Sequence, residues 1–453
     1  MKTIFITIHD GEVAKNIFRT DVWGILKKQA DLKFVLLSSP EKKEYYEKQF
    51  GGENVIVEKF EPLKLSFVQR AAHAFFTHFL PVSTEKINEE NLIVKNRDDI
   101  AKYSIFKIIY LLSYVKFLRR LTQRAGIHLL AQVSLKDLFL RYEPSLVFVT
   151  NILSYQDMNL MLEAKVYGVK TLSMVKSWDT SSTKGLIRVL PDHLIAPNEF
   201  SKKDMLDLHN FPEESKIFVS GFPNYDSYFK KEGLISREEF FSSMGLDLSK
   251  KLIFYCAIGD WLFPNEHEIV EMVDDGISEG KILNAQILAR PHPKYRGIDD
   301  KLKDSKNAVM DRGATYPTSQ VEGWEFEQKD IHHLINSIYH SDVLVTTAST
   351  MTIEACIFDK PVINIAFDGR SQLPEELSVS RYYNQHHYKP ITDSGGARIV
   401  RGESELINAI NEYLKNPEID REARKKVIDM ECHYNDGKSG ERMAEFILKI
   451  IND

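Results

Sequence analysis

Short runs of consecutive apolar residues alternate along the chain with longer stretches in which apolar residues recur every three or four positions. The short runs are rich in β-branched residues, which predicts parallel strands buried on both faces, and the longer stretches predict helices. The predicted strands are Thr3–Ile8, Phe34–Ser38, Leu146–Thr150, Thr171–Val175, His193–Ala196, Ile217–Ser220, Leu252–Ala257, Gln286–Ala289, Val343–Thr346 and Pro361–Ile365. This alternation is typical of α/β proteins with doubly wound sheets.

The strands extend over too many residues for one such sheet, so we expect two Rossmann-like domains in the 453-residue chain. A turn-rich connection with proline and glycine near Phe211–Tyr228 predicts the boundary, with residues 1–215 in the first domain and 216–420 in the second. Residues 421–453 predict helices that could cross back to the first domain. Residues 63–124 break the alternation and predict a helical, aromatic-rich insertion in the first domain.

Within this insertion, the window Lys102–Arg124 is basic and rich in apolar residues, and it contains no Asp or Glu. One interpretation is a core helix whose basic side chains reach the solvent at its edges. The other is a basic amphipathic helix that lies on a membrane surface or contacts a lipid-linked acceptor. The residues alone leave both interpretations open.

Charge and cysteine usage narrow the class of protein. The formal net charge of −6 disfavours a nucleic-acid partner, since such proteins are usually strongly basic. Cys256, Cys356 and Cys432 lie far apart in the sequence, which indicates neither a disulfide framework nor a zinc site and favours a reducing, cytoplasmic location. The first apolar run is too short for a signal peptide, and no run is long enough to span a membrane.

The most informative stretch is Ser341–Asp368, where a strand ends in hydroxyl residues and a helix follows. Ligands of doubly wound sheets bind beyond the carboxyl ends of the strands, and a helix N-terminus there attracts phosphate. We therefore expect Thr347, Ser349 and Thr350 to contact a phosphate and Glu354 to accept hydrogen bonds from a ribose. A simple N-cap is the alternative role for Ser349 or Thr350.

Two further strand ends carry candidate residues in the second domain. Arg290 and His292 stand in an Arg-Pro-His-Pro segment at the end of a predicted strand. Its prolines, Pro291 and Pro293, fix an extended backbone there. Arg290 and His292 could contact a diphosphate, a ribose or a base, or the segment could be a surface turn. Gly259 follows another strand, where the absence of a side chain would let a phosphate approach the backbone, although no full dinucleotide-binding motif surrounds it.

In the first domain, Trp178 and Asp179 follow a predicted strand in a hydroxyl-rich loop. A carboxylate beside a large aromatic ring could have its pKa raised by desolvation, which suits a general base, although an Asp in such a loop often only caps a turn. Asp10 ends the first predicted strand, where the first domain would meet an acceptor; a plain Asp-Gly turn is the alternative. No cluster of acidic residues suggests a divalent metal site.

Together these segments resemble the GT-B superfamily of nucleotide-sugar transferases, and within it the bacterial CDP-glycerol glycerophosphotransferases and capsule surface-polysaccharide transferases. Ser341–Pro361 is similar to the family's strand, Ser-Ser pair, carboxylate and Lys/Arg-Pro unit, and Arg290–Pro293 to its Arg-Pro-His-Pro segment. Ser177–Thr180, with Lys184 downstream, occupies the place of an aromatic-His-Gly-Thr loop. Asp436–Ser439, with Arg442, resembles a C-terminal Asp-Gly motif.

The resemblance implies two Rossmann-like domains that face a cleft, with a nucleotide-sugar donor on the second domain and a glycan or lipid-linked acceptor on the first. It implies sugar transfer to a hydroxyl in surface-polysaccharide or glycolipid synthesis. The lack of an acidic cluster predicts transfer without metal or cofactor, and the basic window Lys102–Arg124 is the reason to consider the inner face of the cell membrane as its location. Asp179 replaces the family's His as the expected base, and Thr347 replaces an Asp; both changes favour sugar transfer over glycerol phosphate transfer. Glycerophosphotransferase, UDP-sugar 2-epimerase and non-catalytic partner protein are the alternatives.

Overall fold

The computed structural model describes residues 1–88, 100–130, 133–292, 298, 301–303, 305–313 and 325–453. These residues form two compact units, which we call the first unit (Met1–Asp226 with Cys432–Asp453) and the second unit (Ser227–Glu431). Each unit contains one sheet in which all described strand pairs are parallel.

The sheet of the first unit has the order β3-β2-β1-β4-β5-β6-β7 among the described strands. Its strands are β1 (Lys2–Ile8), β2 (Leu32–Ser38), β3 (Val55–Lys59), β4 (Pro144–Val149), β5 (Lys170–Met174), β6 (His193–Ala196) and β7 (Ile217–Val219). Strand β1 pairs with β2 and β4, so the direction of winding reverses between β1 and β4. Open sheets of this kind bind ligands at that reversal, beyond the carboxyl ends of the strands.

Helices cover both faces of this sheet, as expected for strands buried on both faces. They are α1 (Gly11–Val13), a π-helical turn (Ala14–Phe18), α2 (Asp21–Leu26), α3 (Lys43–Phe50), α4 (Phe67–His78), α5 (residues 83–88), α6 (Ile100–Ser113), α7 (Lys116–Gly126), α8 (Lys136–Tyr142), α9 (Tyr155–Val166), α10 (Thr180–Thr183) and α11 (Glu199–Asp207). Helix α12 (Asp226–Phe229) follows at the boundary between the units.

The second unit repeats the same winding, with the order β10-β9-β8-β11-β12-β13. Its strands are β8 (Lys251–Cys256), β9 (Ala285–Arg290), β10 (Ala308–Met310), β11 (Val343–Thr346), β12 (Val362–Ile365) and β13 (Arg398–Val400). Its helices are α13 (Arg237–Met244), α14 (Glu266–Ser278), α15 (Gln328–His340), α16 (Met351–Ile357), α17 (Lys389–Ser394), α18 (Glu403–Lys415) and α19 (Arg421–Glu431). Here the winding reverses between β8 and β11.

The last helix, α20 (Ser439–Asn452), completes the core of the first unit. Met443, Ala444 and Ile447 are buried in the hydrophobic cluster that also contains Ile4 of β1. The carboxylate of Asp226 accepts hydrogen bonds from the first backbone amides of α20, at 3.0 and 2.7 Å, and so supplies the negative charge that a helix N-terminus favours.

The strands expected from the sequence all form, with ends displaced by at most two residues, but three strands were not predicted: β3, β10 and β13. All three lie at sheet edges, where less of the side-chain surface is covered and a continuous apolar run is not needed. The expected boundary at residue 216 is wrong by one strand, because β7 pairs with β6 in the first sheet. The C-terminal helices expected together over 421–453 divide, with α19 in the second unit and α20 in the first.

The insertion expected at residues 63–124 contains α4, α5, α6 and α7, between β3 and β4. The window Lys102–Arg124 forms two helices rather than one, because Tyr114 and Val115 separate α6 from α7. Arg119 is buried at this break and donates to the carbonyl oxygens of Ser113 and Asp207. It therefore fastens the two helices to the end of α11, which is a structural role that the charge pattern did not predict.

Candidate functional site

The reversal of winding in the second unit lies at the carboxyl ends of β8 and β11, and hydroxyl groups gather there. The Oγ1 of Thr346, the last residue of β11, donates to the carbonyl oxygen of Cys256 at the end of β8, at 2.8 Å. The next residue, Thr347, is fully buried, and its Oγ1 has no hydrogen-bond partner in the described part of the chain. Buried hydroxyls are normally paired, so Thr347 offers an unused donor at this edge.

Ser349 and Thr350 continue from Thr347 into α16, and both are partly exposed. Thr350 stands at the N-cap position, but its side chain makes no capping hydrogen bond to a described residue. Ser349 Oγ accepts only a long bond of 3.3 Å from the amide of Met351. The N-cap role considered for these residues is therefore weak in Ser349 and is not seen in Thr350.

Glu354, one turn into α16, is almost fully buried. Its Oε2 accepts a hydrogen bond of 2.9 Å from the hydroxyl of Tyr228. The carboxylate of Glu354 and the guanidinium of Arg290 both lie near the Cys256 thiol: burial raises the pKa of Cys256 well above its usual value, Arg290 lowers it and Glu354 raises it. The structure thus brings Arg290, Thr347 and Glu354 to one edge of the sheet, as the sequence predicts.

Arg290 makes an ion pair that the sequence did not reveal. Its Nη1 lies 2.9 Å from Oδ2 of Asp311, which is fully buried and also contacts His333 Nε2 at 2.6 Å and Ser337 Oγ at 3.2 Å. Burial would raise the pKa of Asp311, but Arg290 and His333 outweigh it and hold that pKa well below its usual range. The guanidinium expected to meet a phosphate is thus already anchored by a carboxylate, with 13% of its side chain exposed.

His292 follows Arg290 and is partly exposed, whereas Pro293 lies outside the described residues. Gly259, at the end of β8, has a positive φ of 96° that favours glycine. Its amide and that of Ile258 donate to the buried carboxylate of Glu266, at 2.9 and 2.6 Å. The Glu266 carboxylate therefore occupies the amides that a phosphate would need, and contact of a phosphate with the Gly259 backbone stays a prediction.

In the first unit, Asp179 lies at the start of α10 and is partly exposed. Its Oδ1 accepts from Ser177 Oγ at 2.5 Å, and its Oδ2 accepts from Thr183 Oγ1 at 3.1 Å. Trp178 is buried beside it, and Lys184 is exposed after α10. The carboxylate considered as a base is thus bound by hydroxyls of its own loop.

Asp10 caps α1, with its Oδ1 accepting from the amide of Val13 at 3.0 Å. Its other oxygen lies 2.9 Å from Nζ of the buried Lys176, which also contacts Glu12 at 2.7 Å. Burial would raise the pKa of Asp10, but Lys176 outweighs it and keeps that pKa low. Asp10 is therefore more than the plain turn residue that the sequence analysis considered as the alternative.

Sequence reasoning missed the pair formed by His9 and Asp157. His9 follows β1, Asp157 lies in the first turn of α9 after β4, and their side chains meet at 2.5 Å. The only signal in the sequence was the position of each residue just beyond a predicted strand, since the two are far apart along the chain.

A search of curated protein sequences finds no match for the chain. Residues 174–449 match the family described as CDP-glycerol:poly(glycerophosphate) glycerophosphotransferase, which is more than half of the chain. The chain belongs to this glycerophosphotransferase family. It is therefore a transferase, and the match contains Asp179, Arg290, Thr347 and Glu354, whereas His9 and Asp157 lie outside it.

Solved structures show that this member of the glycerophosphotransferase family has the GT-B fold. UDP-GlcNAc 2-epimerase from Neisseria meningitidis bound to UDP-GlcNAc is 14% identical with a TM-score of 0.55, and the alignment covers 99% of this chain and 100% of that one. A putative UDP-N-acetylglucosamine 2-epimerase from Listeria monocytogenes is 12% identical (TM-score 0.57; 100% and 97% covered). The wall teichoic acid polymerase TagF is 14% identical (TM-score 0.52; 100% and 89% covered).

Three absences concern the described residues of this member of the glycerophosphotransferase family. None of its described helices is both long and apolar enough to cross a membrane. No group of three or more His, Cys, Asp or Glu side chains within the described ranges could hold a metal ion. The three cysteines are buried and form no disulfide.

Proposed function

We propose that the protein transfers a sugar from a nucleotide-activated donor to a hydroxyl group of a surface glycan or lipid-linked acceptor. The observation that carries the proposal is the carboxyl edge of β8 and β11, where the buried Thr347 hydroxyl is unused and Ser349 and Thr350 are partly exposed. These hydroxyls would donate to the donor's diphosphate. Glu354 would accept hydrogen bonds from the ribose beside the one it accepts from Tyr228.

Arg290 would contribute positive charge to the same diphosphate through the exposed part of its side chain. The ion pair with Asp311 fixes the guanidinium in place, which removes the entropic cost of ordering a long side chain when the donor binds. No step of this proposal needs a metal or an organic cofactor, since the leaving nucleotide phosphate would be stabilised by fixed hydroxyl and guanidinium donors.

Transfer of glycerol phosphate from a CDP-alditol is the second candidate, and the family match over residues 174–449 favours it. Both reactions would use the same donor site and differ in the group transferred. Asp179 in place of the family's His remains the reason to place sugar transfer first. Product mass separates the two reactions directly.

The proton of the acceptor hydroxyl needs a base, and Asp179 is the candidate that the sequence suggested. If Asp179 is the base, its replacement by alanine abolishes transfer and leaves nucleotide affinity unchanged, as measured by a product assay and calorimetry. Full activity of Asp179→Ala would exclude it as the base. The acceptor side belongs to the first unit in this proposal, since Asp179 does.

A membrane surface is the proposed location of the acceptor. Exposed apolar side chains on α6 and α7 include Ile105, Ile108, Leu111 and Phe117, with exposures of 56, 57, 57 and 70%. Basic residues stand among them, and Ile100 to Lys136 contains no Asp or Glu. A surface that is both apolar and basic suits the interface of an anionic bilayer. We propose peripheral binding at the inner face of the cell membrane through this surface, which we call the α6–α7 face.

The donor proposal is tested by a thermal-shift panel of CMP, UMP, UDP, CDP and GDP on the intact protein. A nucleoside diphosphate or, for a CDP-alditol enzyme, CMP should raise the melting temperature. The same panel on Ser349→Ala/Thr350→Ala should give a smaller rise, while Ser242→Ala, an exposed serine on α13, should behave as the wild type. A panel in which no nucleotide shifts the wild type would contradict the proposal.

A further inference from the structure

The reversal of winding in the first unit lies between β1 and β4, and a histidine and a carboxylate meet there. His9 is the first residue after β1, and Asp157 lies three residues after the N-cap of α9, the helix that follows β4. The Nε2 of His9 is 2.5 Å from Oδ1 of Asp157. Asp157 is fully buried, while 15% of the His9 side chain stays exposed. One end of the pair is thus held in the core and the other faces outward.

Asp157 is fixed by a hydrogen-bond network that leaves it little freedom. Its Oδ2 accepts from Thr7 Oγ1 at 3.1 Å and from the backbone amide of Asn151 at 2.9 Å. Thr7 Oγ1 in turn accepts from the amide of Thr150, whose hydroxyl donates to the Thr7 carbonyl oxygen. Two neighbouring strands and one helix therefore hold the carboxylate, and the first turn of α9 favours its negative charge.

This network determines which nitrogen of His9 carries a proton. A carboxylate that already accepts two donors can only accept from Nε2, so the neutral ring is protonated at Nε2 and keeps its lone pair on Nδ1. Nδ1 makes no hydrogen bond to another described residue. The ring therefore presents a proton acceptor at the carboxyl edge of the sheet.

The charges around His9 come from three elements. Asp157 on α9 and Asp10 after β1 raise its pKa, while burial, the largest influence, and Lys176 after β5 lower it; the balance places the pKa above its usual value. The ring also lies 6.3 Å from the ring of Phe60. The raised pKa makes His9 a stronger base than free imidazole, which favours uptake of a hydroxyl proton.

Asp179, at the same edge, is less suited to accept that proton. Each of its carboxylate oxygens already accepts a hydrogen bond from a hydroxyl of its own loop, Ser177 or Thr183. Hydrogen bonds of this kind favour the charged carboxylate over its protonated form. Nδ1 of His9 accepts no hydrogen bond from another described residue, and its lone pair lies on the side of the ring opposite the N–H that Asp157 positions.

We propose that His9 is the general base that takes the proton from the acceptor hydroxyl, and that Asp157 is the residue that positions it. The proposal rests on the transferase function proposed above. The acceptor oxygen forms a bond to the transferred group, the bond from that group to the nucleotide phosphate breaks, and the nucleotide leaves with the electron pair. The hydroxyl proton passes to Nδ1 of His9, and the resulting imidazolium is stabilised by the Asp157 carboxylate.

The test compares steady-state transfer by the wild type, His9→Ala, Asp157→Asn and His193→Gln, with UDP-GlcNAc and CDP-glycerol as donors and a panel of alditol and methyl glycoside acceptors. We expect kcat to fall about 10²- to 10⁴-fold in His9→Ala and Asp157→Asn, with the donor KM nearly unchanged. His193, partly exposed at the opposite end of the same sheet, is the matched control, and its variant should keep wild-type kcat.

Two further readouts separate catalysis from a loss of structure. Added imidazole should restore part of the kcat of His9→Ala, and the rise of wild-type activity with pH should be lost in that variant. Wild-type kcat in His9→Ala, or a loss that imidazole does not restore while calorimetry shows intact nucleotide binding, would overturn the role of His9. Absence of any donor turnover by the wild type would instead overturn the proposed function, and the inference with it.

Discussion

The Nε2 of His9 lies 2.5 Å from Oδ1 of Asp157, at the point where the sheet of the first unit reverses its winding. The two residues are 148 positions apart in the sequence. Their contact exists because β1 and β4 are neighbours in the sheet and their carboxyl ends meet at one edge. Parallel sheets thus bring side chains into contact at one edge although no local sequence motif predicts the contact.

The first prediction concerns the protonation of His9. Burial, the largest influence, lowers its pKa, but Asp157 and Asp10 together hold that pKa above the reference value of 6.5. Replacement of Asp157 by Asn should lower this pKa, as followed by NMR of the imidazole protons. Since the folded pKa is raised, His9 stabilises the fold below pH 6.5, and this contribution is lost as the pH rises through the folded pKa. An equal His9 pKa in wild type and Asp157→Asn would contradict this account.

The second prediction concerns the buried ion pair of Arg290 and Asp311. Asp311→Asn leaves the guanidinium without a carboxylate and should lower the free energy of unfolding by about 3–5 kcal/mol. The exposed pair Lys389–Asp393 in the same unit is the matched control, and Asp393→Asn should cost at most about 0.5 kcal/mol. Denaturant unfolding measures both changes, and equal costs would refute the structural role assigned to Asp311.

The same pair predicts a dependence on pH. The pKa of Asp311 is lowered by Arg290 and His333 against the effect of burial, so its contribution to stability is full above about pH 4 and is lost as the pH falls below that value. The wild type should therefore lose stability in acid more steeply than Asp311→Asn, which has no carboxyl group to protonate at this position. An equally steep loss of stability with falling pH in the two proteins would contradict the lowered pKa of Asp311.

The third prediction concerns Glu266, whose carboxylate accepts from the amides of Ile258 and Gly259. Burial raises the pKa of Glu266 to about 8, although the two amides oppose it. A raised folded pKa means that stability is greatest below the usual pKa of about 4.5 and falls as the pH rises towards 8. Glu266→Gln should remove this fall, at most about 1.4 kcal/mol per pH unit. A wild-type stability that is flat over this range would rule out the shift.

The fourth prediction concerns the ribose contact proposed for Glu354. Glu354→Gln should weaken binding of the best nucleotide from the panel by about 1.5–3 kcal/mol, the range for a hydrogen bond to a charged group. Tyr228→Phe removes the hydroxyl that donates to Glu354 and should cost less, since it leaves the carboxylate in place. Calorimetry measures the nucleotide affinity of both variants and shows which substitution lowers it more. Unchanged nucleotide affinity in Glu354→Gln would contradict the proposed contact between Glu354 and the ribose.

The fifth prediction concerns the α6–α7 face. The wild type should float with phosphatidylcholine vesicles that contain phosphatidylglycerol and not with vesicles of phosphatidylcholine alone. Binding is expected to need both the burial of apolar side chains and the attraction of basic side chains to anionic lipid. Ile108→Ser/Phe117→Ser should abolish flotation. Leu283→Ser removes an exposed leucine of the second unit, 73% accessible, and should not affect it. Equal flotation of all three proteins would disprove the role of this face.

Most of the fold could be predicted from the sequence, because buried parallel strands need continuous apolar runs. Strand β1 is an example, since all of its residues except the first are buried. It missed β10 and β13, whose edge positions leave several side chains partly exposed. Of the proposed donor site, Arg290, Thr347 and Glu354 were predictable as neighbours because Arg290 ends a strand, Thr347 directly follows one and Glu354 lies in the first turn of the next helix. Asp311, Tyr228 and Glu266 were not, since their partners are brought near only by the folded sheet.

The structure of the basic window Lys102–Arg124 also depends on tertiary contacts that the sequence does not show. Its composition predicted an amphipathic helix, but the break at Tyr114 and the burial of Arg119 depend on tertiary contacts with the Asp207 carbonyl oxygen. The interpretation as a core helix is wrong for Ile108 and Phe117, which are exposed. The side chain of Lys102 lies outside the described part of the structure.

The most direct test of the central claim is a product assay with the wild-type protein, UDP-GlcNAc or CDP-glycerol, and the hydroxyl acceptor panel. We predict that nucleotide is released only when an acceptor is present, and that mass spectrometry finds the acceptor enlarged by the transferred sugar or, for the second candidate, by glycerol phosphate. Conversion of the UDP-sugar to its 2-epimer without any acceptor would contradict the account, as would the absence of any donor consumption.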